Sequence, residues 1–241
     1  MKVSDLVKYK INRLPEGYVF TYDDFTQEVK NESALKLALF KLVKAGKIER
    51  LSKGRFYKPK QGITGKLNPD EYEVVKDLLK ANKNVIGYIT GLGIFNRLGL
   101  TTQMSNIIQI GSNFDKKQIQ RGKFIIKYIR QWNKITNKNI KLLQLLDCIR
   151  FIKKIPDTSI DQSFKRLIFL IGEIPEKEIN TFKNLALKYP PVTRALTGAI
   201  LERLNYTNLS DEILNSLNPT TYFKINISTD LIRNKNKWKI L

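Results

Sequence analysis

Apolar residues recur at helical spacing through the first 45 positions. Leu6, Val7, Ile11 and Leu14 fall on one face of a helix that the turn residues of "LPEG" (14–17) bring to an end. Thr21 with Asp24 three residues on makes a capping-box pattern. Phe20 and Phe25 flank it as a hydrophobic staple, so a short helix is expected from Thr21 to near Lys30. Asn31 then caps a third helix. Glu32 sits in its first turn, and Leu35, Ala38, Leu39, Leu42 and Val43 form its apolar stripe. Gly46 supplies the stop. Two short β-prone runs follow, "KIERL" and "RFYK", around "SKG", where Gly54 can take the positive φ of a tight hairpin turn.

Downstream the pattern is less regular. Residues 60–68, "KQGITGKLN", read as a linker, and "NPDE" (68–71) as a helix start with Asn68 as cap, Pro69 at N1 and Glu71 at N3. The helix shows Tyr72, Val75, Leu78 and Leu79 on its apolar side. Asp70, Glu71, Glu73 and Asp77 lie on the side expected to face solvent. A glycine-punctuated stretch at 85–103 precedes two β-like runs, 105–111 and 123–130. A long apolar helix over 139–155 stops at Pro156. Further helices are expected near 159–171, 176–188, 192–204 and 209–217, then a β-prone "TTYFKIN" and a basic "NKNKWKIL" tail.

Three helices and a hairpin in that order form a winged helix-turn-helix, with the hairpin as the wing. The fold class is α+β and mainly helical: an N-terminal winged helix (1–60), a mixed α/β region (61–155) and a helical C-terminal region (156–241).

Charge sharpens this picture. The chain carries 43 Lys and Arg against 22 Asp and Glu, a net +21 that points to an anionic partner. Residues 1–40 balance, with six basic and six acidic residues, whereas 41–60 hold eight basic residues and one acid. In a winged helix-turn-helix the third helix enters the major groove and the wing lies against the phosphate backbone or the minor groove. The candidate DNA contacts are therefore Ser33, Lys36, Phe40, Lys41 and Lys44 on the helix, and Arg50, Lys53, Gly54, Arg55 and Lys58 around the wing. Phe40 suits a thymine methyl or a place beneath the wing. A second basic block, 116–154, has twelve basic residues and one acid. Its candidate surface is Lys116, Lys117, Arg121, Lys123, Lys127 and Arg130, interleaved with Phe124, Tyr128 and Trp132. Phosphate neutralisation with stacking, an ordinary strand with solvent-facing lysines, and an acidic partner protein all fit it.

Other chemistry is sparse. The chain has no histidine, which removes a His general base, a Ser-His-Asp triad and His-ligated zinc. The lone Cys148 lies in an apolar helical pattern and suits a buried thiol in a reducing compartment. "GLGIFN" has Asn96 where a dinucleotide fingerprint needs glycine, and "GITGKL" lacks the spacing and final Ser/Thr of a phosphate loop. Asp115 and Asp147 are isolated in sequence, and Asp147 with Arg150 three residues later suggests an intrahelical ion pair. No catalytic residue, metal or cofactor is expected. The N-terminus lacks a signal-like apolar stretch and no run reaches membrane-spanning length, so a cytoplasmic protein is expected.

The opening "MKVSDLVKYKINRLPEGYVFTYDDF", the wing "LVKAGKIERLSKGRFYKPK" and "GYITGLGIFNRLGLTTQ" together resemble the AbiEi-like abortive-infection antitoxins, over about the first 155 residues. That resemblance implies a transcriptional repressor that binds inverted repeats of its own operon, with Lys36, Lys41, Arg50, Lys53 and Arg55 contacting DNA as a dimer on the duplex. It also implies the antitoxin half of a type IV toxin–antitoxin module used in phage defence, countering a nucleotidyltransferase-like toxin directly or indirectly. Beside it stand a nucleic-acid-processing enzyme with a winged-helix targeting domain and a pure protein-interaction module.

Overall fold

The structure, a computed structural model, describes residues 2–63, 65–82 and 84–241. The chain packs as two compact units: residues 1–77 with 119–125, and residues 78–118 with 126–241.

In the first unit, helix α1 (Val3–Arg13) leads to strand β1 (Val19–Thr21) and a 3-10 turn at Tyr22–Phe25. Helix α2 (Glu32–Lys44) and strands β2 (Glu49–Ser52) and β3 (Arg55–Tyr57) follow. β3 is central in an antiparallel sheet of order β1-β3-β2, with Phe20 opposite Phe56 and Arg50 opposite Phe56 on the other side. This is the winged-helix arrangement. The core is the one the apolar stripes specify: Val7 and Ile11 of α1, Leu35, Ala38 and Leu39 of α2, with Phe20, Phe25, Ile48 and Phe56.

The local signals act as expected at most ends. The backbone N–H of Thr21 donates to Asp24 Oδ2 at 2.7 Å, and Phe20 meets Phe25 edge-on at 5.8 Å. Asn31 Oδ1 accepts the Ala34 N–H at 2.9 Å, and Gly46 closes α2 at φ +68. The expected second helix is shorter than its caps suggest. The Asp24 and Thr26 side chains bond to nearby backbone, Asp24 accepting from the Thr21 N–H and Thr26 Oγ1 donating to the Asp23 carbonyl at 2.9 Å, and such residues favour turns over helix interiors.

Residues 60–68 are not a linker. β4 (Lys60–Gly62) and β5 (Gly65–Leu67) form a hairpin, with Thr64 outside the described residues. Helix α3 (Glu71–Leu79) starts later than "NPDE" suggests. Asp70 rather than Asn68 caps it, its Oδ1 accepting the Tyr72 N–H at 2.8 Å.

The second unit begins with the two-residue strands β6 (Lys80–Ala81) and β7 (Asn84–Val85), then β8 (Gly87–Thr90) and the short helix α4 (Leu92–Arg97). β8 pairs antiparallel with β9 (Ile107–Ser112), Ile89 opposite Ile110. The next strands are β10 (Ile119–Arg121), which belongs to the first unit, and β11 (Phe124–Arg130), whose residues from Ile126 on belong to the second; β9 lies between β8 and β11. Helices α5 (Ile140–Arg150), α6 (Ile160–Gly172), α7 (Glu176–Ala186), α8 (Pro191–Arg203) and α9 (Thr207–Asn215) complete the unit. α8 is buried nearly all round, from Thr193 to Leu201, and packs on α5, α6, α7 and α9. Gly198 lets it do so, because a Cβ there would lie 2.1 Å from the Trp238 ring. The expected basic tail is in fact docked. Trp238 is fully buried and its indole N–H donates to Glu202 at 2.7 Å, while Lys237 pairs with Glu202 and Asp211. "TTYFKIN" forms only a bridge from Phe223 to Ile240. No helix among the described residues is long and apolar enough to cross a membrane.

Candidate nucleic-acid interface

The outward side of α2 is built by exclusion. Leu35, Ala38 and Leu39 turn into the core, so Ser33, Lys36, Leu37, Phe40, Lys41 and Lys44 are left exposed. Leu37 is 54% and Phe40 63% exposed, which places two large apolar groups in water on a helix otherwise lined with lysines. Phe40 therefore does not pack beneath the wing. Lys36 pairs with Glu32 one turn earlier at 2.5 Å, and this partner raises the lysine's pKa. Lys41 and Lys44 lie in the last turn, where cations also favour the helix dipole.

The wing turns at Lys53 and Gly54, the glycine at φ +73, with Arg50 and Lys53 exposed. Tyr22 ties the helix to the wing. Its ring lies 5.9 Å from the Lys36 ammonium, 5.7 Å from the Phe56 ring and within 3.6 Å of where a Cβ on Gly54 would stand. Sequence reasoning passed over Tyr22. Its only signal was its place at the first position after a cap whose neighbours were already assigned to the core.

Two other wing cations are engaged within the protein. Arg55 pairs with Asp77 at 2.7 Å. Lys58 donates to the carbonyls of Asn12 and Leu14, at 3.0 and 3.1 Å, where α1 ends. Asp77 is not simply a solvent-facing acid. It also receives both terminal nitrogens of Arg121, at 2.5 and 2.7 Å, and Arg121 reaches the Val74 carbonyl as well. Burial raises the Asp77 pKa, but the hydrogen bonds from Arg121 and then Arg55 outweigh it and hold the carboxyl below its ordinary value.

The second basic block is divided between the two units. Arg121 is only 5% exposed and belongs, with Lys123, to the first unit. Lys116, Lys117, Lys127 and Arg130 belong to the second. There Tyr128 and Arg130 occupy alternate positions of β11, with Trp132 continuing the alternation past the strand end, and Lys127 falls on the opposite face. The loop after β9 reaches this row: Lys116 lies 5.5 Å from the Tyr128 ring, and Asp115 is 3.8 Å from Arg130, whose guanidinium lies 5.0 Å from the Trp132 ring.

A model of the family of unknown function DUF6088 matches residues 6–178. The chain belongs to the DUF6088 family. In fold it is similar to the crystal structure of the Rv2827c protein from Mycobacterium tuberculosis, with a TM-score of 0.61 at 14% identity, over 92% of this chain and 83% of that one. No curated protein matches the sequence.

One more cluster in this DUF6088 chain draws notice because it is charged and buried. Asp147 of α5 does not pair with Arg150 as its spacing suggests; Arg150 donates instead to the Arg130 carbonyl at 3.1 Å. Asp147, 1% exposed, accepts hydroxyl hydrogen bonds from Tyr88 at 2.7 Å, Thr90 at 2.8 Å and Tyr189 at 3.0 Å. Gln131 donates to both tyrosine oxygens at 2.8 Å. Burial raises the Asp147 pKa despite these donors, and pushes both tyrosine pKa values up. With Gly111 pressed on the Tyr88 ring, the network reads as a packed polar core joining β8, α5 and Tyr189. Among the described residues no group of three or more acids, cysteines or histidines is gathered as a metal site would need. Cys148 is buried, and burial raises its thiol pKa.

Proposed function

We propose that this protein is a sequence-specific duplex-DNA repressor and the antitoxin of a two-gene toxin–antitoxin module of phage defence. One observation carries the DNA reading. An exposed helix face of Ser33, Lys36, Leu37, Phe40, Lys41 and Lys44 has no core to cover, and Tyr22 links it to a glycine-turned cationic wing. Lys36 and Ser33 face base edges, Phe40 and Leu37 thymine methyl groups, and Lys41, Lys44, Arg50 and Lys53 phosphates. Arg55 and Lys58 serve the wing's own architecture. The repressor binds an inverted repeat near its own promoter as a dimer on DNA. Its partner gene encodes a nucleotidyltransferase-like toxin, which it counters directly or through repression. The antitoxin role rests on the resemblance to AbiEi-like proteins and on no residue of the C-terminal helices. We read the chain as a cytoplasmic binding protein, not an enzyme.

The test is fluorescence anisotropy with duplexes tiled across the upstream region of the gene. The proposal expects one duplex to bind far more tightly than its scrambled counterpart, and Lys36→Ala to erase that preference. Equal binding of all duplexes, or none, would overturn it. Incubation of nucleic acid with the protein and Mg²⁺ or Mn²⁺ addresses the processing-enzyme alternative, which requires divalent-dependent cleavage.

A further inference from the structure

The row on β11 asks for a different ligand from the wing. Tyr128, Arg130 and Trp132 share one face of an extended segment, and pairing continues past the strand end, where the Gln131 N–H donates to the Ser112 carbonyl at 2.8 Å. Asn113 pins the neighbouring loop by donating to the carbonyls of Gln131 and Asn133, each at 2.7 Å. That loop then exposes Phe114, Lys116 and Lys117, and meets the row through Lys116 at Tyr128 and Asp115 at Arg130. Two rings remain open to water, Phe114 at 63% and Trp132 at 56% exposed. Core packing accounts for neither. The cations are already seated at ring faces, Lys116 by Tyr128 and Arg130 by Trp132. One acid, Asp115, stands among them, and its side chain is 87% exposed.

Duplex DNA hides the faces of its bases and uses a surface of cations without need of exposed rings. An acidic protein would meet the cations and leave the rings idle. Unpaired bases use both, because every base has a π face and every linkage a phosphate. We propose that this surface of the second unit binds single-stranded nucleic acid, with bases stacked on Trp132 and Phe114 and phosphates at Lys116, Lys117 and Arg130. This goes beyond operator binding, since it concerns other residues in another unit and needs no wing.

The experiment uses the full chain and fluorescein-labelled 15-mers of dT and rU, read by anisotropy. Trp132→Ala and Phe114→Ala each weaken binding by about five- to 150-fold, the range of one lost stacking contact. Operator-duplex affinity does not move. Trp132→Phe keeps a ring and retains most of the binding, which separates loss of stacking from loss of folding. The chain has two tryptophans and Trp238 is fully buried, so oligonucleotide should quench mainly the Trp132 emission, and the Trp132→Phe protein should show little quenching. The dT and rU arms tell whether the natural strand is DNA or RNA. The proposal is overturned if neither oligomer binds, if Trp132→Ala binds as wild type does, or if polyglutamate displaces the oligomers as well as unlabelled strand does. It is also overturned if Arg50→Ala with Lys53→Ala abolishes strand binding while Trp132→Ala leaves it intact. Failure of the wing mutants to affect the operator would count against the repressor reading alone.

Discussion

Asp77 sits between two guanidiniums, and one of them is nearly out of water. Removing its charge leaves the nearly buried Arg121 without a countercharge and with one acceptor oxygen fewer, beside the Val74 carbonyl. Asp77→Asn should cost about 2 kcal/mol in urea unfolding; this is less than the 3–5 kcal/mol of a fully buried pair because the Asp77 side chain is 41% exposed. The pH dependence has a definite sign. A carboxyl held below its unfolded value adds stability that is present above about pH 4 and is lost as pH falls through the lower folded value. The Asn variant should lack this acid limb. Asp147 works in the opposite sense. Its raised pKa means that its contribution is whole below about pH 4 and declines as pH rises through the folded value. Asp147→Ala should still cost about 3 kcal/mol or more at neutral pH, because the buried hydroxyls of Tyr88, Thr90 and Tyr189 lose their shared acceptor. At this scale the sequence was least informative. Both acids looked ordinary by spacing, and what makes them unusual comes from residues 44 and 59 positions away, Arg121 for Asp77 and Tyr88 for Asp147.

Elements bounded by local chemistry were legible, and those shaped by distant packing were not. Asn31, Gly46 and Gly54 each act within a few residues, so α2 and the wing are legible in the sequence. The same residues gave the exposed face of α2, since a 3.6-residue period fixes what is outside once the inside is known. The hairpin of β4 and β5 was missed because no alternation of apolar and polar residues marks it, and both strands are largely exposed. The buried setting of α8 was equally hidden. It depends on Trp238, 40 residues later, filling the space above Gly198. Gly198→Ala should therefore lower thermal stability by several degrees, against the usual gain of alanine within a helix. On α2, Lys41→Ala and Lys44→Ala should each weaken operator and scrambled DNA to similar extents. Each should flatten the salt slope by about one unit without altering sequence preference, as measured by anisotropy across a salt series.

For the whole molecule, a net charge of +21 overstates what one interface can use. Arg55 and Lys58 fold the wing, Arg121 is internal, and Lys237 holds the C-terminal segment. With the four phosphate contacts of Lys41, Lys44, Arg50 and Lys53 on each protomer, operator affinity should fall about 150-fold per bound protomer between 50 and 200 mM salt. Isothermal titration at several salt concentrations would show it, and a much steeper slope would mean that further cations join the contact.

The first unit is closed by a strand that the ribosome makes late. Residues 119–125 enter it after more than forty intervening residues of the other unit have been synthesised. Until Arg121 emerges, the nascent winged helix holds Asp77 without its bidentate partner. A gene fragment ending at residue 77 would carry every proposed operator contact and still yield an unfinished domain, so attempts to excise the DNA-reading part should graft 119–125 back in.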